Sequence, residues 1–372
     1  ESEGIGKDIL GGKGYGLAEM SRLGIPVPPG FTITTRVCGW YNEHGNTYPD
    51  GLRDEVEAQL EKLEGQLGQR FGDAANPLLV SVRSGAPLSM PGMMDTILNL
   101  GLNDEIVAAQ SAQASGDSRF LLDAYRRLLS MYSNIVLDIP RDHFEHVLTE
   151  TRKAQGVATD AELSAENLAA ICRRFAQIVV EQGKSFPQSP REQLWGAITA
   201  VFESWNGKRA REYRKINAIS DSLGTAVNVQ AMVFGNRGSD CATGVAFTRN
   251  PATGERRVFG EFLVNAQGED VVAGIRTPEE ITPEAGGGVG GRGLAADFPQ
   301  AAQGLSEVAE KLERHFRDMQ DLEFTIQHDR LFMLQTRTGK RTGPAAVRIA
   351  AEMVSEGLID QKEALRRVEP QH

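Results

Sequence analysis

Cysteine is scarce in this chain and badly placed for bridging. Cys38, Cys172 and Cys241 are the whole supply, odd in number and far apart, which argues against a disulfide framework and for a reducing compartment. No zinc-type spacing joins them. Long apolar runs are missing too: no stretch is long enough to cross a bilayer, and the start at Glu1 has no signal-like character. The formal net charge of -10 is offset by no basic stripe. Broad binding to nucleic acid or to an anionic membrane is therefore not expected, and local cationic groups must serve specific sites. The six histidines are scattered, none in a small-residue loop suited to nucleophilic work, so all default to structural or surface roles. There is no internal repeat.

What is present describes a globular α/β chain. At 372 residues, with 40% hydrophobic and 24% charged residues, the chain exceeds one ordinary core, and two or three subdomains are expected. Strand signals lie at Phe31–Thr35 and Leu78–Arg83, with an amphipathic helix across Leu52–Phe71. From Asn103 to Pro190 the pattern turns to successive helices, Arg119–Val136, His143–Lys153 and Ala161–Gln182, which reads as a helical insert. More helices follow to Ile219, and Ala226–Phe234 then alternates as a buried strand. Strands at Ala242–Thr248 and Arg257–Val264, a helix at Ala302–Met319 and a hairpin after it complete the second half. Gly286–Gly293, drawn from an excess of 40 glycines, reads as a flexible loop. Past Arg341, two short helices precede an abrupt stop at Pro370-Gln371-His372, as expected of a truncated chain.

The hairpin carries the strongest chemistry. In Asp321-Leu-Glu-Phe-Thr-Ile326, alternation puts Leu322, Phe324 and Ile326 on one face and Asp321, Glu323 and Thr325 on the other. For Phe332 and Leu334 to share the apolar face, the turn around Gln327-His328-Asp329-Arg330 must have three or five loop residues. Glu323 then falls beside Gln335 or Met333. Two carboxylates, a carboxamide and the Arg337 guanidinium crowd one patch, which suits a hydrated Mg2+ ion and phosphate oxygens, hence a nucleoside triphosphate. A merely solvated edge face would carry Lys and Thr instead.

Three further segments fit that reading. Gly11-Gly-Lys-Gly-Tyr-Gly16 places Lys13 in a glycine loop opening a helix, where backbone N–H groups meet anions, although the Walker A order is absent. Arg83 ends a strand and is followed by a methionine-rich loop with Ser89, Gly92, Met93, Asp95 and Thr96, an arrangement able to close on phosphoryl groups. The strand leading through Gln230, Met232 and Val233 offers backbone groups to a nucleotide base. A plain turn, a surface arginine and a simple connecting strand are the bland counterparts.

The chain resembles the N-terminal nucleotide-binding domain of the pyruvate, phosphate dikinase family over nearly its whole length. The likeness rests on Gly11-Gly-Lys-Gly14, Pro28-Pro-Gly-Phe-Thr-Ile-Thr-Thr35, Val82-Arg-Ser-Gly-Ala86, Ser89-Met-Pro-Gly-Met-Met-Asp-Thr96 and on to Asn103. Thr243–Pro251, Asn265–Gly274, Asp321-Leu-Glu-Phe324 and Leu334–Arg341 extend it. The resemblance implies an ATP-grasp-like fold: a first lobe at 1–102, a helical insert at 103–190, a return and hinge strand at 191–234, a second lobe at 235–341 and a helical linker at 342–372. It also implies that ATP and inorganic phosphate become AMP and pyrophosphate as the β-phosphoryl group moves to a histidine, and that pyruvate finally yields phosphoenolpyruvate. Lys13 and Arg83 then contact the phosphates, Glu323 and Gln335 hold Mg2+, and Asp321 and Arg337 complete the site, with Arg337 counted beside Lys13 and Arg83 as catalytic.

The family's Thr-Ser-His-Ala segment does not occur in these residues. The phosphohistidine and pyruvate-binding domains are thus expected elsewhere in a longer protein, the parent enzyme as a homodimer, and the location as cytoplasmic, or plastid after loss of a transit peptide. Two other readings keep the ATP site: a different acceptor, as in phosphoenolpyruvate synthase or an antibiotic phosphotransferase, or a nucleotide-sensing module without turnover. The methionine-rich loop disfavours the first, and the intact set of Lys13, Arg83, Glu323 and Gln335 disfavours the second.

Overall fold

The computed structural model describes residues 4–90, 92–112, 118–272, 276–283 and 292–368. The proposed Gly286–Gly293 loop lies largely outside them. The chain forms two compact units: one holds residues up to Tyr15 together with Pro29–Met232, the other Gly16–Pro28 together with Val233 onward.

The first unit is built on a four-stranded antiparallel sheet. Its strands are β1 (Gly30–Ile33), β4 (Val80–Gly85), β5 (Thr96–Leu100) and β6 (Ala226–Ala231), in the order β1-β6-β4-β5; β2 (Arg70–Phe71) and β3 (Pro77–Leu78) form a separate parallel pair. β6 is central and buried at all six positions, Asn228 and Gln230 included. The helix Ser118–Ile135 packs beside β5 and the helix Pro190–Trp205 beside β4. Further helices, Asp142–Gln155 and Ala165–Glu181, occupy the stretch expected to be helical. Ser164 and Ser189 cap the helices that follow them by accepting from Asn167 and Glu192 N–H.

The second unit holds a five-stranded antiparallel sheet. The order is β11 (Arg330–Thr338), β10 (Gln320–Gln327), β7 (Ala242–Phe247), β8 (Phe259–Val264) and β9 (Glu279–Glu280). Its core joins Ala242, Phe262, Leu322, Phe324, Ile326 and Met333 to the apolar stripe of the helix Pro299–Phe316. Met20 and Ile25 enter the same core.

One buried cation ties the end of the chain to this sheet. Arg249, fully buried, donates through Nε and Nη2 to Glu313 (2.7–3.1 Å), through Nη1 to Glu352 (3.0 Å) and through Nη2 to Glu356 (2.7 Å). Glu352 lies on the helix Gly343–Ser355 and Glu356 caps its end, while Glu313 belongs to the helix Pro299–Phe316. Removing the guanidinium strands Glu313, itself 5% exposed, without its counter-charge. Arg249→Ala is expected to cost about 3–5 kcal/mol in denaturant unfolding. A loss below about 1 kcal/mol would show that the cage contributes little.

Candidate functional site

The acidic ribbon of the second unit forms through a register that the alternation alone does not give. The turn between β10 and β11 has two residues, His328 and Asp329, both at positive φ (50° and 59°), and Gln327 faces Arg330. The expected three- or five-residue turn is therefore incorrect, and so is the placement of Phe332 and Leu334 on the core face. Leu331 and Met333 face the core instead, opposite Ile326 and Phe324.

A bulge then restores the polar pairing. Phe324 faces Met333, but Glu323 faces Gln335, so Leu334 is the extra residue on β11. Beyond it, Asp321 faces Arg337 and Leu322 faces the buried Thr336. Gln335 Nε2 donates to Glu323 Oε1 at 2.9 Å, and Arg337 Nε donates to Asp321 Oδ2 at 2.7 Å. The four candidates thus meet on one strand face, as expected, although the bulge rather than the turn brings this about.

Electrostatics mark Asp321 out. Its side chain is 12% exposed, and burial lifts its pKa above the ordinary carboxylate value. Arg337 opposes that lift while the Glu323 carboxylate adds to it. The donors of this face, two carboxylates and a carboxamide, are all oxygen, which fits Mg2+ and not a thiolate-seeking metal.

In the first unit, backbone contacts between two segments set the place of Lys13. The helix Lys7–Arg22 breaks at Gly11 (φ 69°), and helical geometry resumes after it, so Lys13 sits in the first resumed turn and the glycine run is largely helix. A Cβ at Gly11 would lie 1.7 Å from Gly85 O, and Gly12 N–H donates to Ala86 O at 2.8 Å. The Lys13 backbone therefore abuts the end of β4, the strand that carries Arg83. Arg83 is half-buried and faces Asn228 on one side and Thr96 on the other.

The remaining candidates fall nearby or in the connecting chain. Ser89 and Gly92 are exposed, Met93, Asp95 and Thr96 are half-buried, and Met90 is buried in support of the loop. Burial raises the Asp95 pKa, with Arg209 opposing. Gln230 is buried on β6, facing Gly30 and Ser81. Met232 N–H continues that ladder by donating to Leu79 O at 2.9 Å, and Val233 is the next residue, where the second unit takes up the chain.

Sequence reasoning overlooked Asn228. It is 1% exposed, accepts from Thr32 Oγ1 at 2.9 Å and donates to Arg83 O at 3.4 Å. A buried asparagine in a buried strand was the available signal, because such an amide must find partners.

The mixed α/β, ATP-grasp-like fold that carries this oxygen-rich ribbon is of the AMP/ATP-binding class of domain. The family model described as pyruvate phosphate dikinase, AMP/ATP-binding domain, matches residues 7–54, 48–287 and 299–358, and the chain belongs to that family. It is 53% identical over 367 residues to pyruvate, phosphate dikinase of Rhizobium meliloti (strain 1021), covering 98% of this chain and 41% of that protein. The corresponding enzyme of Clostridium symbiosum is 50% identical over 365 residues (98% and 40%), and the chloroplastic enzyme of Flaveria trinervia 50% over 367 (98% and 37%). The chain thus spans 37–41% of the length of these relatives. Among the described residues, no helix is long and apolar enough to cross a membrane.

The Asp321–Arg337 pair is open to direct measurement. In a carboxyl-carbon NMR titration, Asp321 should titrate above the usual aspartate range, and Arg337→Ala should raise it further. An unchanged midpoint would mean that the guanidinium does not govern this carboxylate.

Proposed function

We propose that the chain binds ATP with Mg2+ and prepares its β-phosphoryl group for transfer to a histidine on another domain of a longer dikinase. The alignment of Glu323 with Gln335, and of Asp321 with Arg337, on one strand face carries this reading. In it, Glu323 and Gln335 hold the ion through oxygen, and Asp321 supports Arg337. Lys13, Arg83 and Arg337 neutralise charge that develops on the phosphates. The loop Ser89–Thr96 lies over the phosphates, and the strand end at Gln230, Met232 and Val233 offers backbone groups to the base. When bound, Mg2+ supplies charge neutralisation and orients the phosphate chain.

The acceptor chemistry belongs to the longer protein. Inorganic phosphate becomes pyrophosphate there, and pyruvate becomes phosphoenolpyruvate through a phosphohistidine domain and a pyruvate-binding domain. The relatives at 50–53% identity are named pyruvate, phosphate dikinases, which favours pyruvate over an antibiotic as final acceptor and favours turnover over sensing. Residues 103–190 act in this reading as the inserted helical subdomain, and 342–372 lead toward the phosphohistidine domain. A homodimeric parent and a cytoplasmic or plastid location complete the proposal.

Calorimetric titration should show ATP binding that needs Mg2+ and disappears with a chelator. Absence of binding at millimolar nucleotide would reject the reading. In a full-length dikinase carrying this domain, Arg83→Ala should lower kcat about 100-fold or more while changing nucleotide affinity less than about tenfold. Equal losses in both would assign Arg83 to ground-state binding alone.

A further inference from the structure

A second cluster of ligating side chains lies at the turn end of the same ribbon. Asp240 and Cys241 immediately precede and open β7, and His328 heads the two-residue turn joining β10 to β11. His328 Nδ1 is 2.8 Å from Asp240 Oδ2 and 4.0 Å from Cys241 Sγ, and Cys241 Sγ is 3.4 Å from Asp240 Oδ1. Four tetrahedral donors around zinc, at about 2.0–2.3 Å from the ion, stand roughly 3.3–3.8 Å apart. The three side chains straddle that spacing, so small torsional adjustments bring all of them onto one ion.

The backbone holds the cluster in place. His328 N–H donates to Cys241 Sγ at 3.4 Å, a contact that steadies sulfur as a ligand, and Asp329 N–H donates to Asp240 O at 3.0 Å. Asn265 N–H fixes the other side by donating to Cys241 O at 2.8 Å. Access is one-sided: Cys241 is fully buried, whereas the Asp240 and His328 side chains are 46% and 52% exposed. An ion can enter from the carboxylate and imidazole side, and a fourth position stays open to solvent.

We propose that Asp240, Cys241 and His328 bind a zinc-class divalent cation, separate from the Mg2+ face. A set of one sulfur, one nitrogen and one oxygen donor suits borderline-soft ions and discriminates against Mg2+ and Ca2+. The site lies beyond the Ile326–Ala242 pair, itself three residues or about 10 Å along β10 from Glu323, so one ion cannot serve both. Bound metal clamps the turn to the start of β7, two segments 87 residues apart in sequence. It neither requires nor replaces the nucleotide reading.

The test uses the metal-free full chain titrated with Co2+. One equivalent should bind with a thiolate-to-cobalt charge-transfer band, be displaced by one equivalent of Zn2+, and resist excess Mg2+. Cys241→Ser should abolish the band, while Cys38→Ser and Cys172→Ser should keep it. His328→Gly, which suits the positive φ of that position, should weaken Co2+ binding about tenfold or more. Lack of a band in the unaltered chain, its survival in Cys241→Ser, or unchanged affinity in His328→Gly would overturn the site. Should Cys241→Ser fail to fold, His328→Gly and Asp240→Asn together decide, since both alter half-exposed side chains.

Discussion

The extra residue at Leu334 is the constraint on which the polar ribbon depends. Side chains on a strand alternate with a period of two, so a two-residue turn with unbroken pairing would place Gln335 and Arg337 opposite the wrong partners. The bulge between Glu323 and Phe324 shifts the register by one. On the turn side, Leu331 and Met333 complete the core with Phe324 and Ile326; on the far side, Gln335 and Arg337 line up with Glu323 and Asp321. Without the bulge Gln335 would fall opposite Leu322 and Arg337 opposite Gln320, turning a carboxamide and a guanidinium toward the core, where an unpaired charge costs several kcal/mol. Packing and site geometry are therefore fixed by one local irregularity.

The first unit uses close backbone approach for the same end. Gly11 has both a left-handed φ and no room for a side chain against Gly85 O, and the Gly12 N–H bond to Ala86 O draws the helix start onto the strand end. A charged side chain and an arginine-bearing strand are thus held by main-chain contacts that need little side-chain entropy. Asn228 adds a buried amide that accepts from Thr32 and donates to the Arg83 carbonyl. Positioning of this kind leaves the Lys13 and Arg83 segments little to reorganise, the condition under which fixed charges act most strongly.

The Arg249 cage is a second place where remote segments are held by charge. Three glutamates from two helical segments converge on one buried guanidinium, so the helix Gly343–Ser355 is bound to the second unit by charge as well as by Ile349 and Met353 in their small core.

Local pattern determined much of this protein. The helical stretch after Asn103, the buried strand at Ala226 and the helix before the hairpin follow from periodicity over short distances, and Asp321, Glu323, Gln335 and Arg337 stand out by residue type though not by register. The turn length did not follow, because His328-Asp329 lacks the Asn-Gly or Asp-Gly signature of a primed turn, and the bulge has no sequence mark of its own. β5 was hidden within the methionine-rich motif, and the helix Thr35–Glu43 follows a strand signal at Phe31–Thr35 in a stretch where no element was expected. Tertiary structure alone decided that Asn228 meets Thr32 across 196 positions, that Arg249 gathers Glu313, Glu352 and Glu356, and that Cys241 lies beside His328. Periodicity reports which face a residue occupies, whereas the partner on that face is chosen by the packing of segments remote in sequence.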